Sequence, residues 1–320
     1  MSSPVPLRLQ VVNAFISLCR ADDAWPSTLH DAGYHLAGLE IPVRGEAGVI
    51  VIDAVAQHTD RDALLAAECK SGANVHAEQA RRLSELDAAA LLRMVAAPAV
   101  GGAAPSVEAV FVCAGEHLSR ILQGLAACKV AAPVIAVSDQ AISGHGPAFA
   151  DEFLNAAFSD AVPVTAPPPA YLTLDSESAD EDVDEHVLAE LVACMAQGVD
   201  DLTVPALAER VVQLYTRLGD GRKGVLRRKI DASARRLASR QPEQFAYRPS
   251  TGARRDPTIG ILKSPEQHDP RGRTQAYQAL ARAATAPRSR HRPRPEVEGQ
   301  LDLLLHELNA GVDPSEEEVE

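Results

Sequence analysis

The sequence predicts an α/β fold, a mixed sheet flanked by helices, followed by a second domain of three helices and a β-ribbon. Three observations predict it. Residues 49–56 and 63–70 are aliphatic runs on either side of the polar turn His58-Thr59-Asp60-Arg61-Asp62, the pattern of a hairpin. Residues 107–112, 118–127 and 133–137 then read as strand, helix, strand, the alternation of an α/β core. A Pro-rich stretch at 163–169 and an acidic run at 175–182 mark a boundary before a helix-rich remainder.

The elements follow in order. Residues 7–19 read as an opening helix, and Leu39-Glu40-Ile41-Pro42-Val43 as an edge strand, since proline donates no ladder hydrogen bond. After the hairpin, residues 75–95 are Ala- and Leu-rich with charged spacing, which predicts one helix lying over the sheet. Beyond the boundary, residues 185–196 are helical, Thr203 caps a helix over 204–215, and Gly219-Asp220-Gly221 makes a turn. In the helix at 223–240, Leu226, Ile230, Ala234 and Leu237 form an apolar stripe and leave Arg227, Arg228, Lys229, Arg235, Arg236 and Arg240 outward. Residues 245–248 and 258–263 read as a strand pair around a loop holding Arg254 and Arg255. The domains expected are therefore 1–160, a linker at 161–183, a second domain at 184–286, and a terminal segment at 287–320.

The informative residues are charged ones written into the hairpin. Holding a charge in a low-dielectric setting costs several kcal/mol unless it is paired or metal-bound. A turn centred on Asp60 and Arg61 sets Asp53 opposite Glu68, with side chains roughly 5 Å apart. Alternation then places Asp53, Glu68 and Lys70 on one face, and Ile50, Ile52, Ala54, Leu65, Ala67 and Cys69 on the other. A salt-bridged strand face is the plain alternative for a Glu-x-Lys.

Val51-Ile52-Asp53 followed by Glu68-Cys69-Lys70-Ser71-Gly72 resembles the catalytic hairpin of the PD-(D/E)xK, or restriction-endonuclease-like, nuclease superfamily. The resemblance implies a restriction-endonuclease-like mixed sheet in which Asp53 and Glu68 hold Mg²⁺, with Mn²⁺ as an alternative, and Lys70 is the catalytic lysine. Mg²⁺ takes hard oxygen ligands and keeps several waters, so one or two carboxylates and a phosphate oxygen suffice. Members often carry another acid ahead of the hairpin; Asp22, Asp23, Asp31, Glu40 and Glu46 are candidates without clear phasing, and Glu40 is the accessory candidate retained. One branch has a Gln four residues before a Tyr in the next helix; here Gln79 is followed by Leu83, so Gln79 is either an accessory site residue or a helix-surface residue.

The second domain resembles a winged helix-turn-helix. That implies DNA as partner, with Arg227, Arg228, Lys229, Arg235 and Arg236 as groove or phosphate contacts and Arg254 and Arg255 in the wing. Solvated basic helices and protein-docking winged helices are the alternatives. Net charge is −13, but acids concentrate in the linker and at Ser315-Glu316-Glu317-Glu318-Val319-Glu320, so the basic helix keeps its local sign.

Composition narrows the remaining classes. A chain of 320 residues with 46% hydrophobic content is ordinary for a protein of more than one core. The longest apolar run, near 121–137, is broken by Lys129 and Pro133, and no signal peptide is evident, so a cytoplasmic protein with no membrane association is expected. Five cysteines without a C-x-x-C pair point to reduced, buried thiols. No P-loop, G-x-S-x-G or dinucleotide fingerprint occurs. Pro-Arg repeats at 287–295 read as an extended connector. The short helix at 301–308, with Leu301, Leu304, Leu305 and Leu308 on one side, reads as a docking element for a protein partner or second copy, or as a helix packed on its own chain. The expected activity is Mg²⁺-dependent DNA endonuclease action in host defence, recombination or repair; a noncatalytic DNA-binding regulator or an interaction adaptor are the other classes.

Overall fold

The computed structural model describes residues 7–21, 25–45, 48–95, 104–251 and 256–262. Two compact units emerge: Pro6–Asp175 with Val212–Val225, and Ser176–Val211 with the stretch from Leu226 onward. Among the described residues, no helix is long and apolar enough to cross a membrane.

The first unit is built on a seven-stranded mixed sheet whose strands lie side by side in chain order. It opens with α1 (Leu7–Leu18), in which Leu9 and every residue from Val11 to Leu18 are buried. A helix apolar nearly all round belongs inside, and α1 lies against the second, third and fourth strands. After the single turn α2 (Thr28–Asp31) come β1 (Tyr34–Gly45), β2 (Gly48–His58) and β3 (Ala63–Lys70), an antiparallel meander with β1 at the sheet edge. The Pro42 of the expected edge strand sits in β1, which runs longer than predicted at both ends.

Residues 75–95, expected as one helix, form two: α3 (Ala77–Ser84) and α4 (Ala88–Met94). The break has a local cause. Asp87 caps α4 by accepting hydrogen bonds from the backbone N–H groups of Ala89 and Ala90 at 2.9 and 3.3 Å. The chain continues through β4 (Ser106–Ala114), α5 (Leu118–Cys128) and β5 (Val134–Val137), with β4 parallel to both β3 and β5. β6 (Ala141–His145), α6 (Glu152–Ala157) and the short β7 (Val162–Pro163) then extend the sheet antiparallel, elements too short to announce themselves in the sequence. Helices α3, α4 and α5 cover one face, where Leu83, Leu91, Ile121 and Leu125 pack with Val55, Leu64, Ala66 and Phe111.

Residues 161–175, read from sequence as linker, lie within this unit. Asn13 explains part of the docking: its Nδ2 donates to the Leu172 carbonyl at 3.0 Å and its Oδ1 accepts from the Leu172 N–H at 2.8 Å. Trp25 Nε1 donates to the Ala166 carbonyl at 3.0 Å, and Leu172 and Leu174 are buried. The polar look of a proline-rich segment concealed partners that are distant in sequence.

The second unit starts with α7 (Asp180–Ala196). Its first turn is Asp180, Glu181 and Asp182, so the end of the acidic run is helix rather than linker, with the carboxylates where the helix dipole favours them. β8 (Asp201–Thr203), α8 (Val204–Val211), α9 (Asp220–Arg240), β9 (Phe245–Arg248) and β10 (Thr258–Ile261) follow, α9 belonging to this unit from Leu226 onward. The Oγ1 of Thr203 accepts from the Ala206 N–H at 3.3 Å, as a capping residue does, although α8 stops four residues short of the predicted end. Leu226, Ile230, Ala234 and Leu237 of α9 are all buried, as their spacing requires. The ribbon is three-stranded, in the order β8-β10-β9. Arg254 and Arg255, the Pro-Arg connector, the 301–308 helix and the acidic tail lie outside the described residues.

Candidate active site

The hairpin has the register that its turn dictates. Ala54 pairs with Ala67, Val55 with Ala66, Ala56 with Leu65 and Gln57 with Leu64. The next pair in that count is Asp53 with Glu68, and there the ladder gives way. Asp53 Oδ2 accepts the Cys69 N–H at 2.7 Å, so a side chain takes up a donor of the strand and the two strands part. Strict alternation also fails at this point: Ile52 and Val55 both join the core cluster under α3 and α5, whereas alternation sets them on opposite faces. The neighbouring strand supplies the irregularity. β1 shifts register between Leu36 and Gly38, and Glu40, opposite this region, has the left-handed φ of 49°.

At the fork, Glu68, Lys70 and Gln79 close a triangle. Lys70 Nζ donates to Glu68 Oε1 at 2.6 Å and to Gln79 Oε1 at 3.2 Å, and Gln79 Nε2 donates to the same Glu68 oxygen at 2.7 Å. Gln79 therefore turns inward from α3, whereas its sequence pattern favours a helix-surface role. Glu68 is 4% exposed, and its Oε2 is buried without a hydrogen-bond partner. A buried carboxylate oxygen left unpaired is costly, so the site has an unmet demand for a donor or cation. Burial, and then the charge of Glu68, push the Asp53 carboxyl up to about 7, while the Cys69 N–H and Lys70 pull the other way.

Glu40 reaches the same neighbourhood through its charge, which adds to the upward push on Asp53. Burial raises its own pKa, the Arg222 guanidinium 3.7 Å away opposes that, and its Oε2 is buried and unpartnered. The segment carrying Arg222 is fixed to β1 by the Gly219 N–H, which donates to the Leu39 carbonyl at 2.8 Å, and by a parallel bridge between Leu39 and Leu218. Sequence reading missed Arg222 because nothing local ties it to a strand so distant in the chain. Of the other acids considered, Asp31 is exposed and bonded to Ser27, and Asp22, Asp23 and Glu46 lie outside the described residues.

Among the described residues, no group of three or more His, Cys, Asp or Glu side chains is arranged to hold a metal ion. A cation here would instead rest on Asp53 and Glu68, with waters filling its other positions, a donor set that suits Mg²⁺. The orphaned Glu68 Oε2 fits such a cation, whose charge would oppose the burial and the Glu68 charge that raise Asp53.

The basic residues of α9 divide into two groups. Arg227 and Arg228 are exposed, with no ion pair among the described residues. The others are engaged within their unit. Lys229 Nζ donates to the Ser178 carbonyl at 2.6 Å; Arg235 pairs with Asp231 at 2.6 Å and lies over the Tyr247 ring. Arg236 bonds the buried Asp184 at 2.7 Å and also reaches Asp180, and Arg240 meets Asp184 at 3.2 Å. Comparison with protein-family models, with curated proteins and with solved structures returned no match.

Proposed function

We propose that the chain is a Mg²⁺-dependent endodeoxyribonuclease of the PD-(D/E)xK type whose second unit is a winged-helix DNA-binding domain, working in the cytoplasm. The observation that carries this reading is the fork between β2 and β3, where Asp53, Glu68, Lys70 and Gln79 meet around an unpartnered carboxylate oxygen. Salt-bridged strand faces satisfy their acids; this one does not. The three-helix, three-strand order of the second unit, with Arg227 and Arg228 exposed on its last helix, supports a nucleic-acid partner.

Asp53 and Glu68 would hold the cation, which when bound makes its water more acidic and neutralises charge on the phosphoryl group. The residues of the chain do the rest. Lys70 Nζ, fixed between Glu68 and Gln79, offers a point cation where negative charge gathers on the phosphoryl oxygens as water attacks in line. The water oxygen forms a bond to phosphorus and its proton passes to solvent, while the bond to the leaving sugar oxygen breaks and that oxygen takes a proton from solvent. Gln79 keeps the ammonium in one place, and the Cys69 N–H keeps Asp53 directed into the fork.

Incubating plasmid DNA with the chain, with and without Mg²⁺, tests this. Cleavage should require Mg²⁺ and fall by about 10²-fold or more in Lys70→Ala, the order of loss when one charge-stabilising group is removed, while DNA binding persists. Wild-type-like cleavage by Lys70→Ala or Asp53→Ala would overturn the assignments. A noncatalytic DNA-binding regulator is favoured by one observation, the closed Lys70–Glu68–Gln79 triangle, and it predicts binding with no Mg²⁺-dependent product.

A further inference from the structure

The parting of β2 and β3 leaves a second feature that the cleavage chemistry does not use. Ladder pairing to β3 ends at Ala54, so β2 from Gly48 to Ile52 is paired on its β1 side only. A depression of ≈ 350 Å³ opens against this half-free stretch, walled by Val49, Ile50 and Val51 on the strand and by His76, Gln79 and Arg82 from the start and body of α3, with Glu78 on its rim. Gln79 belongs to both places: its side chain bonds Glu68 and Lys70, and it lines the depression. The groove therefore begins where the proposed reacting centre ends.

Its chemistry is mixed. One wall is aliphatic, and Val49 on it is 54% exposed. The other wall carries hydrogen-bonding groups. Arg82 gives Nη2 to Glu78 and lines the depression with its guanidinium group. Glu78 contributes an acceptor, and His76 is exposed at the head of the helix. A bare phosphate is poorly suited to this set, because Glu78 already neutralises Arg82 and the aliphatic wall offers an anion nothing. A flat group with apolar faces and a donor-acceptor edge suits it well, and the volume lies within the range of small-ligand sites.

We propose that this groove takes one unpaired nucleobase adjoining the phosphodiester that is cut, its face along the half-free stretch of β2 at Val49–Val51 and its edge toward Arg82, Glu78 and Gln79. The proposal rests on the nuclease reading and narrows its substrate class to DNA with a splayed or single-stranded nucleotide beside the scissile bond, such as a bulge, a mismatch or a branch. A base inside a regular duplex presents no free face and would have to be unstacked at a cost of a few kcal/mol.

Binding and cleavage separate the two ideas. Affinities of the full chain for a DNA hairpin with a single-nucleotide bulge and for the fully paired hairpin are measured by fluorescence anisotropy without Mg²⁺; cleavage of both is followed with Mg²⁺. The bulged hairpin should bind about tenfold or more tightly, about 1.4 kcal/mol. Val49→Trp, which fills the groove from an exposed position, and Arg82→Gln, which removes the guanidinium lining it, should each bring the ratio close to one. Equal affinities in the wild-type chain, or a ratio that survives in either variant, would overturn the groove assignment even if cleavage occurs. Loss of cleavage with the binding ratio intact would overturn the nuclease reading instead.

Discussion

Asp53 is the residue on which most depends, and its environment sets a sign that can be measured. Because its carboxyl is pushed up to about 7, the folded chain retains a proton there that the unfolded chain releases near pH 4. This group's contribution to stability is therefore complete below the unfolded value and is lost as pH rises from about 4 toward 7. Thermal unfolding of the Mg²⁺-free protein should show this loss, and Asp53→Asn should remove it; an unchanged pH profile in that variant would contradict the burial argument. Asp151 runs the other way. Burial alone would raise its carboxyl, but the Phe153 N–H, Arg61 and the Tyr34 hydroxyl together hold it below the ordinary value. Its contribution is present above pH 4 and falls away on acidification, so Asp151→Asn should flatten the acid side of the same profile.

At the scale of elements, the β1 edge and the Gly219 turn make one joint. A Cβ built on Gly219 would stand 2.4 Å from the Glu40 carbonyl oxygen, a backbone atom with little room to yield. Gly219→Ala should therefore destabilise the chain by about 1–3 kcal/mol, the usual cost of forcing atoms into a packed site, read as a lower denaturation midpoint. Asp184 joins α7 to α9 in a similar way. It is 3% exposed and accepts from both Arg236 and Arg240, so Asp184→Ala leaves two guanidiniums without it and should cost about 1.5–3 kcal/mol, the range for hydrogen bonds to charged groups.

These elements also show what the sequence discloses. The hairpin register was legible because the turn length and a period of two fix it, and the apolar stripe of α9 because 3.6-residue spacing does. Glu68 and Lys70 could be grouped on the same grounds, whereas Asp53 sits where alternation along β2 fails. The inward turn of Gln79, the left-handed Glu40 and the reach of Arg222 were not legible: the first depends on how α3 docks on the sheet, the second on a local irregularity of β1, and the third on a partner far along the chain. The break at Asp87 was legible in principle: an Asp ahead of an alanine run is a cap signal, overridden by the continuous helical periodicity around it.

For the molecule as a whole, net charge is a poor guide to partners. The chain carries −13, yet Arg227 and Arg228 project from α9 while its remaining cations are mostly spent on Asp184, Asp231 and the Ser178 carbonyl. If α9 meets DNA, the phosphate contacts available from its described face are few, and the salt dependence should be shallow. Arg227→Ala and Arg228→Ala should each lower the slope of log affinity against log salt by about 1 and weaken all sequences alike. Arg236→Ala should act mainly through stability, lowering the denaturation midpoint with a smaller change in slope.

The thiols give the fork its own reporter. Cys19, Cys69, Cys113 and Cys194 are buried, and Cys128 is the partly accessible one. An alkylating reagent added to the native protein should thus attach once, at Cys128, and reach the other four only as the structure opens. Cys69 is the most telling of these, because Asp53 holds its N–H. The order in which adducts appear by mass spectrometry would time the opening of the β2–β3 end against the rest of the sheet, with no engineered label.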